Sequence, residues 1–279
     1  MIVVIAGRPP ARNDILFFTM KNSVYTYLES HPWKNTIQFF DTIDSTNTRA
    51  KLLAARGAPA GTVLIADHQT GGRGRLGRTF LSPAGTGIYM SVILRPNCPP
   101  TELMHLTCAA AVAACDAVEK AVGIRPGIKW TNDLVYGSRK LAGILTELGL
   151  SPGGMVDWAV IGIGINCLQK VDDFDPTIRS FAGSLAMFAP CDRAKVAAAL
   201  VEAFSGMDLS RKQEIMDRYR LDCITLGREV SLLRGGDPVR HGRAVDLDDD
   251  GALVVEFAPG IRETVNSGEI SVRGMYGYL

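Results

Sequence analysis

Apolar residues along this chain recur with two spacings, which predict helices in some segments and strands in others. Helical spacing is clearest in residues 101–122, where the apolar positions are Leu103, Leu106, Ala110, Ala113, Ala117 and Ala121. Residues 158–166 are apolar at nearly every position, which is typical of a strand that is buried on both faces. We therefore predict a sheet that is covered by helices.

The remaining pattern predicts further helices and strands in alternation. We expect helices at residues 14–29, 48–56, 192–205 and 210–221. We expect strands at residues 37–40, 62–66, 88–94, 127–130, 134–136 and 140–147. Residues 44–47 are all of the type that caps a helix start, and Gly57 is suited to follow the end of the helix at 48–56.

The character of the chain changes after Asp222. Five short β-type runs follow, at residues 229–233, 241–247, 253–257, 263–265 and 270–272. Glycine, proline and aspartate separate these runs, which indicates a small barrel of the SH3 type. We therefore divide the chain into an N-terminal segment (1–36), an α/β domain (37–222) and a C-terminal β domain (223–279).

Composition and charge argue against several classes of protein. The formal net charge is +1, without the basic excess that nucleic-acid-binding proteins usually carry. No run of roughly 18 apolar residues suggests a membrane span, and the first seven residues lack the basic start of a signal peptide. The six cysteines are scattered without a C-x-x-C pair, which favours reduced thiols in a cytoplasmic protein.

The most unusual segment is the loop of residues 71–78, which contains four glycines and three arginines. Glycine lets the backbone approach a ligand closely, and arginine presents planar donors that match carboxylate and phosphate groups. We expect this loop to close over an anion and otherwise to lie open. The alternative is a solvated surface turn that happens to be basic.

The same loop satisfies the spacing G-x-G-x-x-G through Gly72, Gly74 and Gly77. A dinucleotide site also needs a helix directly after the glycines, whereas Pro83 and a predicted strand follow here. No Gly-Lys-Ser/Thr follows either, so the loop is not a P-loop. The loop therefore joins two strands.

Two lysines form a second candidate site. Lys129 begins the segment Lys-Trp-Thr-Asn-Asp-Leu, and Lys140 opens the strand at 140–147. A lysine in a buried strand is costly unless it meets an anion or a carboxylate, although a structural role at an edge, with the ammonium reaching solvent, is the alternative. Asn132 and Asp133 are also compatible with an ordinary turn.

The two cationic segments favour an anionic substrate. The four histidines are scattered and no G-x-S-x-G motif occurs, so the sequence offers no evident set of nucleophile and base. Attack of an ionised substrate carboxylate on a nucleotide phosphate needs neither, because positioning and charge neutralisation supply most of the catalysis.

The motifs between residues 38 and 170 resemble, in order and spacing, those of the biotin–protein ligases. The matching segments are residues 44–47, 69–78, 82–83, 87–91, 129–134, 139–147 and 162–166. Residues 226–230 and 265–273 resemble the SH3-like C-terminal domain of the same family. Each motif alone is weak, but their common order is specific.

This resemblance implies an α+β fold, with a mixed-sheet catalytic domain like that of class II synthetases and a small SH3-like β-barrel. It implies a ligase that forms biotinyl-5′-AMP from biotin and ATP, with Mg²⁺, and transfers biotin to a lysine of a biotin carboxyl carrier protein. Family members are often dimers, so a homodimer is compatible with the resemblance.

The resemblance also implies which residues form the site. They are Ser45, Thr46, Gln69, Gly72, Arg73, Gly74, Arg75, Arg78, Phe80, Lys129, Asn132, Asp133, Lys140, Gly143 and Asn166. Arg73, Arg75 and Lys140 would contact the reacting carboxylate and phosphate. Phe80 and Asn166 would line the adenine side.

Biotin itself would be held by Ser45, Thr46 and Gln69, together with the backbone near Gly72 and Gly143. Asn132 and Asp133 are assigned to the nucleotide or to Mg²⁺, and Lys129 is a further binding residue of the same motif. No residue is assigned as a dedicated protein metal ligand.

Two positions depart from the family pattern, since Phe80 stands where tryptophan is common and Thr131 replaces a proline. The residues before the catalytic pattern are too few for the winged helix-turn-helix of some members, so we expect no binding to an operator. Two other functions stay open. One is a ligase for lipoate or octanoate, and the other is a non-catalytic regulator that binds biotin.

Overall fold

The computed structural model describes residues 12–234, 237–266 and 271–274. The apolar run at residues 1–7 and the first residue of the last expected strand, Ile270, lie outside the described residues.

The alternation of helices and strands is confirmed. The helices are α1 (Arg12–Tyr27), α2 (Thr46–Ala55), α3 (Leu106–Val122), α4 (Arg193–Ser205) and α5 (Lys212–Asp222). The strands before α4 are β1 (Ile37–Ile43), β2 (Val63–Gln69), β3 (Gly87–Leu94), β4 (Gly127–Lys129), β5 (Asp133–Tyr136), β6 (Arg139–Leu150) and β7 (Val156–Asn166). Helix α3 begins later than expected because a separate 3₁₀ turn occupies Pro100–Leu103.

Strands β1 to β7 form one sheet in the order β1-β2-β3-β7-β6-β5-β4. Strands β1 and β2 are parallel, and every other neighbouring pair is antiparallel, so the sheet is mixed as expected. The long apolar strand β7 lies between β3 and β6 in the centre of the sheet. Its central position accounts for the almost uninterrupted apolar sequence.

Helices cover both faces of this sheet. On one face, α3 packs against α4, α5 and β6, and its alanines permit close contact because they add little bulk. On the other face, Ala50 and Ala54 of α2 pack against Leu64, Ile93 and Val160. Helix α2 therefore lies across β2, β3 and β7, with its first turn near the end of β2.

One helical stretch in the described part of the chain, Pro100–Val122, is long and apolar enough to cross a membrane. However, 72% of its most apolar window is buried inside the structure. This degree of burial is that of a core helix.

The C-terminal strands form a second, antiparallel sheet, as expected. They are β8 (Glu229–Arg234), β9 (Asp237–Leu247), β10 (Leu253–Ala258), β11 (Ile261–Val265) and β12 (Ser271–Gly274), in the order β11-β10-β9-β8-β12. The indole Nε1 of Trp130 donates to Gly251 O at 2.8 Å, and its backbone N donates to Thr225 Oγ1 at 2.9 Å. One hydrophobic core cluster includes residues of both sheets, among them Ile128 of β4. The C-terminal sheet is therefore packed against the part of the first sheet that contains β4.

Candidate active site

The loop of residues 71–78 folds back on itself as an irregular hairpin. Phe80 N donates to Gly72 O at 2.9 Å, and Gly74 N donates to Arg78 O at 2.7 Å. Its tip is a single 3₁₀ turn, Arg75–Gly77. In this structure the loop is folded, with backbone hydrogen bonds across it.

Gly72 is required by the close approach of its backbone to the end of β2 and the segment after the loop. A Cβ atom at this position would lie 2.7 Å from Ser82 Oγ and 3.1 Å from Gln69 Nε2, and it would overlap Phe80 O. Only glycine fits there, so the root of the hairpin is fixed against Gln69.

Arg75 is the arginine by which the hairpin reaches the sheet. Its NH1 donates to Asn132 Oδ1 at 3.0 Å, and Asn132 Nδ2 donates in turn to Ile144 O at 2.8 Å. Burial lowers the pKa of the Arg75 guanidinium, and the negative charge of Asp133 acts in the opposite direction. A half-buried guanidinium of this kind gains from a further anion.

Lys140 meets a carboxylate, as its position in a strand required. Its Nζ lies 2.6 Å from Asp133 Oδ1, and the two side chains are only 27% and 17% exposed. Strand pairing places Asp133 opposite Gly143, and a Cβ atom at Gly143 would lie 3.5 Å from Lys140 Nζ. Asp133 is therefore a counter-ion to Lys140 as well as part of a turn.

The second lysine of this region, Lys129, is also buried. It ends β4 and is paired in register with Asp133, the first residue of β5. Lys129, Asp133 and Lys140 thus lie on three adjacent strands. Two lysines and the carboxylate that pairs with Lys140 therefore come together from neighbouring strands, a setting that suits the binding of an anion.

The residues that the resemblance assigns to biotin meet at the start of α2. Ser45 caps this helix, and its side chain accepts from Thr48 N at 3.4 Å. Thr46 donates to Gln69 Oε1 from its backbone N at 2.8 Å and from Oγ1 at 3.1 Å. Gln69 Nε2 donates to Ser82 Oγ at 2.9 Å. These bonds fix the orientation of the Gln69 amide in a partly buried polar network.

This network continues into residues that the sequence interpretation missed. Ser91 Oγ lies 2.8 Å from Thr46 Oγ1 and 2.6 Å from Asn47 Oδ1. Glu147 Oε2 accepts from Asn47 Nδ2 at 3.0 Å, and Glu147 Oε1 accepts from Lys51 Nζ at 2.6 Å. The one signal in the sequence was a glutamate after the apolar run at 141–145 of the expected strand.

The two other arginines of the hairpin make different contacts. Arg73 NH1 is 3.7 Å from Glu147 Oε1, with its side chain 49% exposed, so this ion pair is weak. The Arg78 residue is exposed, and its backbone N donates to Arg75 O at 3.2 Å, which closes the turn. Of the three arginines, Arg75 is the one that donates to the Asn132 side chain in this structure.

The Phe80 ring packs on β7, and Asn166 is the last residue of that strand. The Phe80 ring packs against Gly164, where a Cβ atom would lie 2.7 Å from the ring Cζ. Asn166 Nδ2 donates to Gly183 O at 3.0 Å, and Gly183 N donates to Lys140 O at 2.9 Å. The aromatic ring and the amide are thus connected to the strand that carries Lys140.

The site therefore combines a polar network around Gln69, a cationic cluster around Lys140 and an aromatic surface at Phe80. Among the described residues, no group of three or more His, Cys, Asp and Glu side chains could hold a metal ion. The chemistry that this arrangement supports is the binding and alignment of anionic reactants.

Comparison with known proteins identifies the class. Residues 39–166 match the "Biotin/lipoate A/B protein ligase family", and residues 225–273 match the "Biotin protein ligase C terminal domain". The structure is similar to that of the biotin protein ligase of Aquifex aeolicus in complex with biotin and ATP, with a TM-score of 0.71 and 31% identity. That similarity covers 85% of this chain and 98% of the other.

Similarity in sequence agrees. The chain is 38% identical over 233 residues to the bifunctional ligase/repressor BirA of Bacillus spizizenii, covering 80% of this chain and 70% of that protein. It is 34% identical to the biotin–[acetyl-CoA-carboxylase] ligase of Mycobacterium tuberculosis, covering 81% of this chain and 85% of that protein. The chain belongs to the biotin protein ligases, and the fold expected from the motifs is confirmed.

Proposed function

We propose that this chain forms biotinyl-5′-AMP from biotin and ATP and then transfers the biotinyl group to a lysine of a biotin carboxyl carrier domain. The observation that carries the proposal is the Lys140–Asp133 pair beside Arg75 and Asn132. This cationic cluster lies on the same sheet as the Gln69 network and the Phe80 surface.

In the first step, a carboxylate oxygen of biotin attacks the α-phosphorus of ATP, and pyrophosphate leaves with the electrons of the broken P–O bond. Lys140 would contact the oxygens of the reactants while its pairing with Asp133 holds it in position, since an ammonium has three donors. Arg75 would contribute a second charge across the reacting groups. Fixed positive charges of this kind lower the barrier, because they need little reorganisation as charge moves.

The oxygen atoms of Asp133 and Asn132 fit a magnesium ion that is held mainly by the phosphates of ATP. Magnesium is commonly bound through one or two carboxylates together with substrate phosphates, and not in a full protein cage. When bound, it would neutralise phosphate oxygens during the first step.

In the second step, the neutral amine of the acceptor lysine attacks the acyl carbon, and AMP leaves with the electrons of the C–O bond. An acyl-adenylate is prone to hydrolysis until that attack occurs. The folded hairpin of residues 71–78 provides a cover over the reacting groups that would reduce access of water.

Three finer features belong to the proposal. All six thiols are free, which supports a reducing compartment such as the cytoplasm. Leu148 and Leu150 are exposed apolar residues on β6, which supports a homodimer through the sheet. The small net charge supports the absence of specific DNA binding, and a gel-shift with operator-type DNA tests that prediction.

Two alternatives differ in substrate or in class. A lipoate or octanoate ligase would share the catalytic fold, but the match of residues 225–273 to the biotin protein ligase C-terminal domain supports biotin. A non-catalytic regulator would bind biotin without releasing pyrophosphate. The presence of Arg73, Arg75 and Lys140 supports catalysis instead.

The proposal is tested by transfer to a purified carrier domain with ATP, Mg²⁺ and biotin. Intact mass spectrometry should show one added biotinyl group on the carrier, and none when its target lysine is replaced by arginine. The proposal fails if the carrier remains unmodified while the same carrier accepts biotin from another biotin protein ligase.

A further inference from the structure

We propose that Gln169 accepts a hydrogen bond from the exocyclic amino group of adenine, beside Asn166, so that Gln169 determines specificity for ATP. The inference rests on the function proposed above and extends it. Gln169 lies three residues beyond Asn166, where the last matching motif ends.

The first observation is a buried acceptor without a partner. Gln169 is only 3% exposed, and its Oε1 has no hydrogen-bond partner in the structure, while Nε2 donates to Asn166 Oδ1 at 3.3 Å. A buried amide oxygen without a partner costs free energy, which a ligand donor can recover. In the described part of the chain, the other buried side-chain atom of this kind is His105 Nδ1, at the start of α3.

The second observation is the position of this acceptor. Asn166 links Gln169 to Gly183, whose backbone N bonds to Lys140 O. The Phe80 ring packs on Gly164, two residues before Asn166. A purine base that stacks on the Phe80 ring, next to the end of β7, would have its edge toward Asn166 and Gln169.

The third argument is the chemistry of the two amides. Asn166 Nδ2 carries two hydrogens and uses one for Gly183 O, so one donor remains beside the free acceptor of Gln169. Adenine presents the complementary pair, a ring-nitrogen acceptor next to the N6 amino donor. Guanine carries an oxygen acceptor in place of that amino group, which would face Gln169 Oε1 without a proton between them.

Because Oε1 is shielded from solvent, the chain around Gln169 has to move locally to admit the base. The backbone of Gln169 is held, since Ser184 Oγ donates to its carbonyl at 2.6 Å. The amide of its side chain is therefore the part that has to turn toward the base.

The test is biotin-dependent pyrophosphate release with two nucleotides, namely ATP and its 6-deamino analogue purine riboside triphosphate. The wild-type protein should prefer ATP over the analogue by about tenfold in kcat/KM, the value of one hydrogen bond. Gln169→Met keeps the length of the side chain without the acceptor. It should lose that preference by lowering kcat/KM for ATP alone, with the KM for biotin unchanged.

Two further variants separate recognition from a structural role. Gln169→Glu retains an acceptor oxygen and should retain the preference for ATP over the analogue. Gln213→Met removes an exposed glutamine on α5 and should leave kcat/KM unchanged for both nucleotides. Thermal unfolding of each variant identifies loss of fold.

Two results would overturn the inference. One is a Gln169→Met variant that loses activity equally with ATP and with the analogue. The other is a wild-type protein that does not distinguish these nucleotides. If the wild-type protein releases no pyrophosphate from ATP with biotin, the proposed function itself fails, and the inference fails with it.

Discussion

At the scale of single residues, the cationic cluster is held in place by its own counter-charges. Lys140 is paired with Asp133, and Arg75 donates to Asn132, which is itself bonded to Ile144 O. These contacts hold the charged groups in defined positions. Such preorganisation is what an electrostatic mechanism requires.

The first prediction concerns Arg75. Arg75→Ala should leave the fold intact and weaken retention of biotinyl-AMP by at least about tenfold, because a charge-assisted contact contributes roughly 1.5–3 kcal/mol. The dissociation rate of biotinyl-AMP is the measurement. Arg56→Ala, at an exposed arginine after α2, is the matched control. A variant that retains the adenylate as long as wild type would remove Arg75 from its assigned role.

Local motifs in the sequence predicted these residues. The sequence did not predict contacts whose two partners lie in distant segments of the chain. Lys140, Asn132 and Arg75 stood in recognisable runs, and burial of a lysine required a partner. Glu147 contacts Asn47 and Lys51 from about a hundred positions away, and no local pattern encodes such a contact.

At the scale of elements, the central strand β7 shapes the site through its glycines. Gly162 leaves room for the Asn47 amide, and Gly164 leaves room for the Phe80 ring. The glycines therefore let one face of β7 receive the side chains of α2 and of the hairpin. An apolar strand with two glycines was readable from the sequence, but the side chains that fill the gaps were not.

The second prediction tests this packing. Gly164→Ala places a methyl group against the Phe80 ring, so the ring must shift. We expect a higher KM for ATP and a loss of about 1–3 kcal/mol in the free energy of unfolding, as for other overpacked sites. Gly153→Ala is the control, since its nearest neighbour would be Ser151 Oγ at 3.8 Å. An unchanged KM for ATP would show that Phe80 does not shape the nucleotide site.

The third prediction concerns the start of α3. Burial lowers the pKa of His105, Lys212 lowers it further, and Asp250 and the bond to Leu209 O oppose the shift. Because the unfolded chain then binds the proton more readily, stability should fall as the pH drops below the ordinary histidine value of about 6.5. His105→Gln cannot titrate in this range.

Chemical denaturation at about pH 7.5 and pH 5.5 measures the effect. The wild-type protein should lose more stability between these values than His105→Gln does, since the other titrating groups are common to both proteins. Equal losses would mean that His105 does not contribute to the pH dependence.

At the scale of the whole molecule, the two sheets share one core. The core cluster includes Ala110 and Cys115 of α3 together with Val230 and Leu253 of the C-terminal sheet. Trp130 adds a hydrogen bond to Gly251 in the turn before β10. The sequence indicated the two parts, because helices alternate with strands before Asp222 and short β-type runs follow it. It did not indicate that the apolar surfaces of the two parts are continuous.

The fourth prediction follows from this shared core. The chain should unfold in a single cooperative transition when followed by far-ultraviolet circular dichroism. Trp130→Phe should lower the free energy of unfolding by about 1–3 kcal/mol, because Gly251 O is left without its donor. Trp158→Phe, where the ring packs on Gly149 of the same sheet, should cost less. Two separate transitions in the wild-type protein would contradict a shared core.

The central claim is that the cationic cluster activates biotin, and pyrophosphate release tests it most directly. Purified protein would be incubated with ATP and Mg²⁺, with biotin in one reaction and lipoate in a parallel one. We predict release that depends on biotin and is absent with lipoate. Release with lipoate alone would keep the mechanism and change the substrate, and no release with either, from folded protein that binds biotin, would contradict the assignment of this site to adenylate formation.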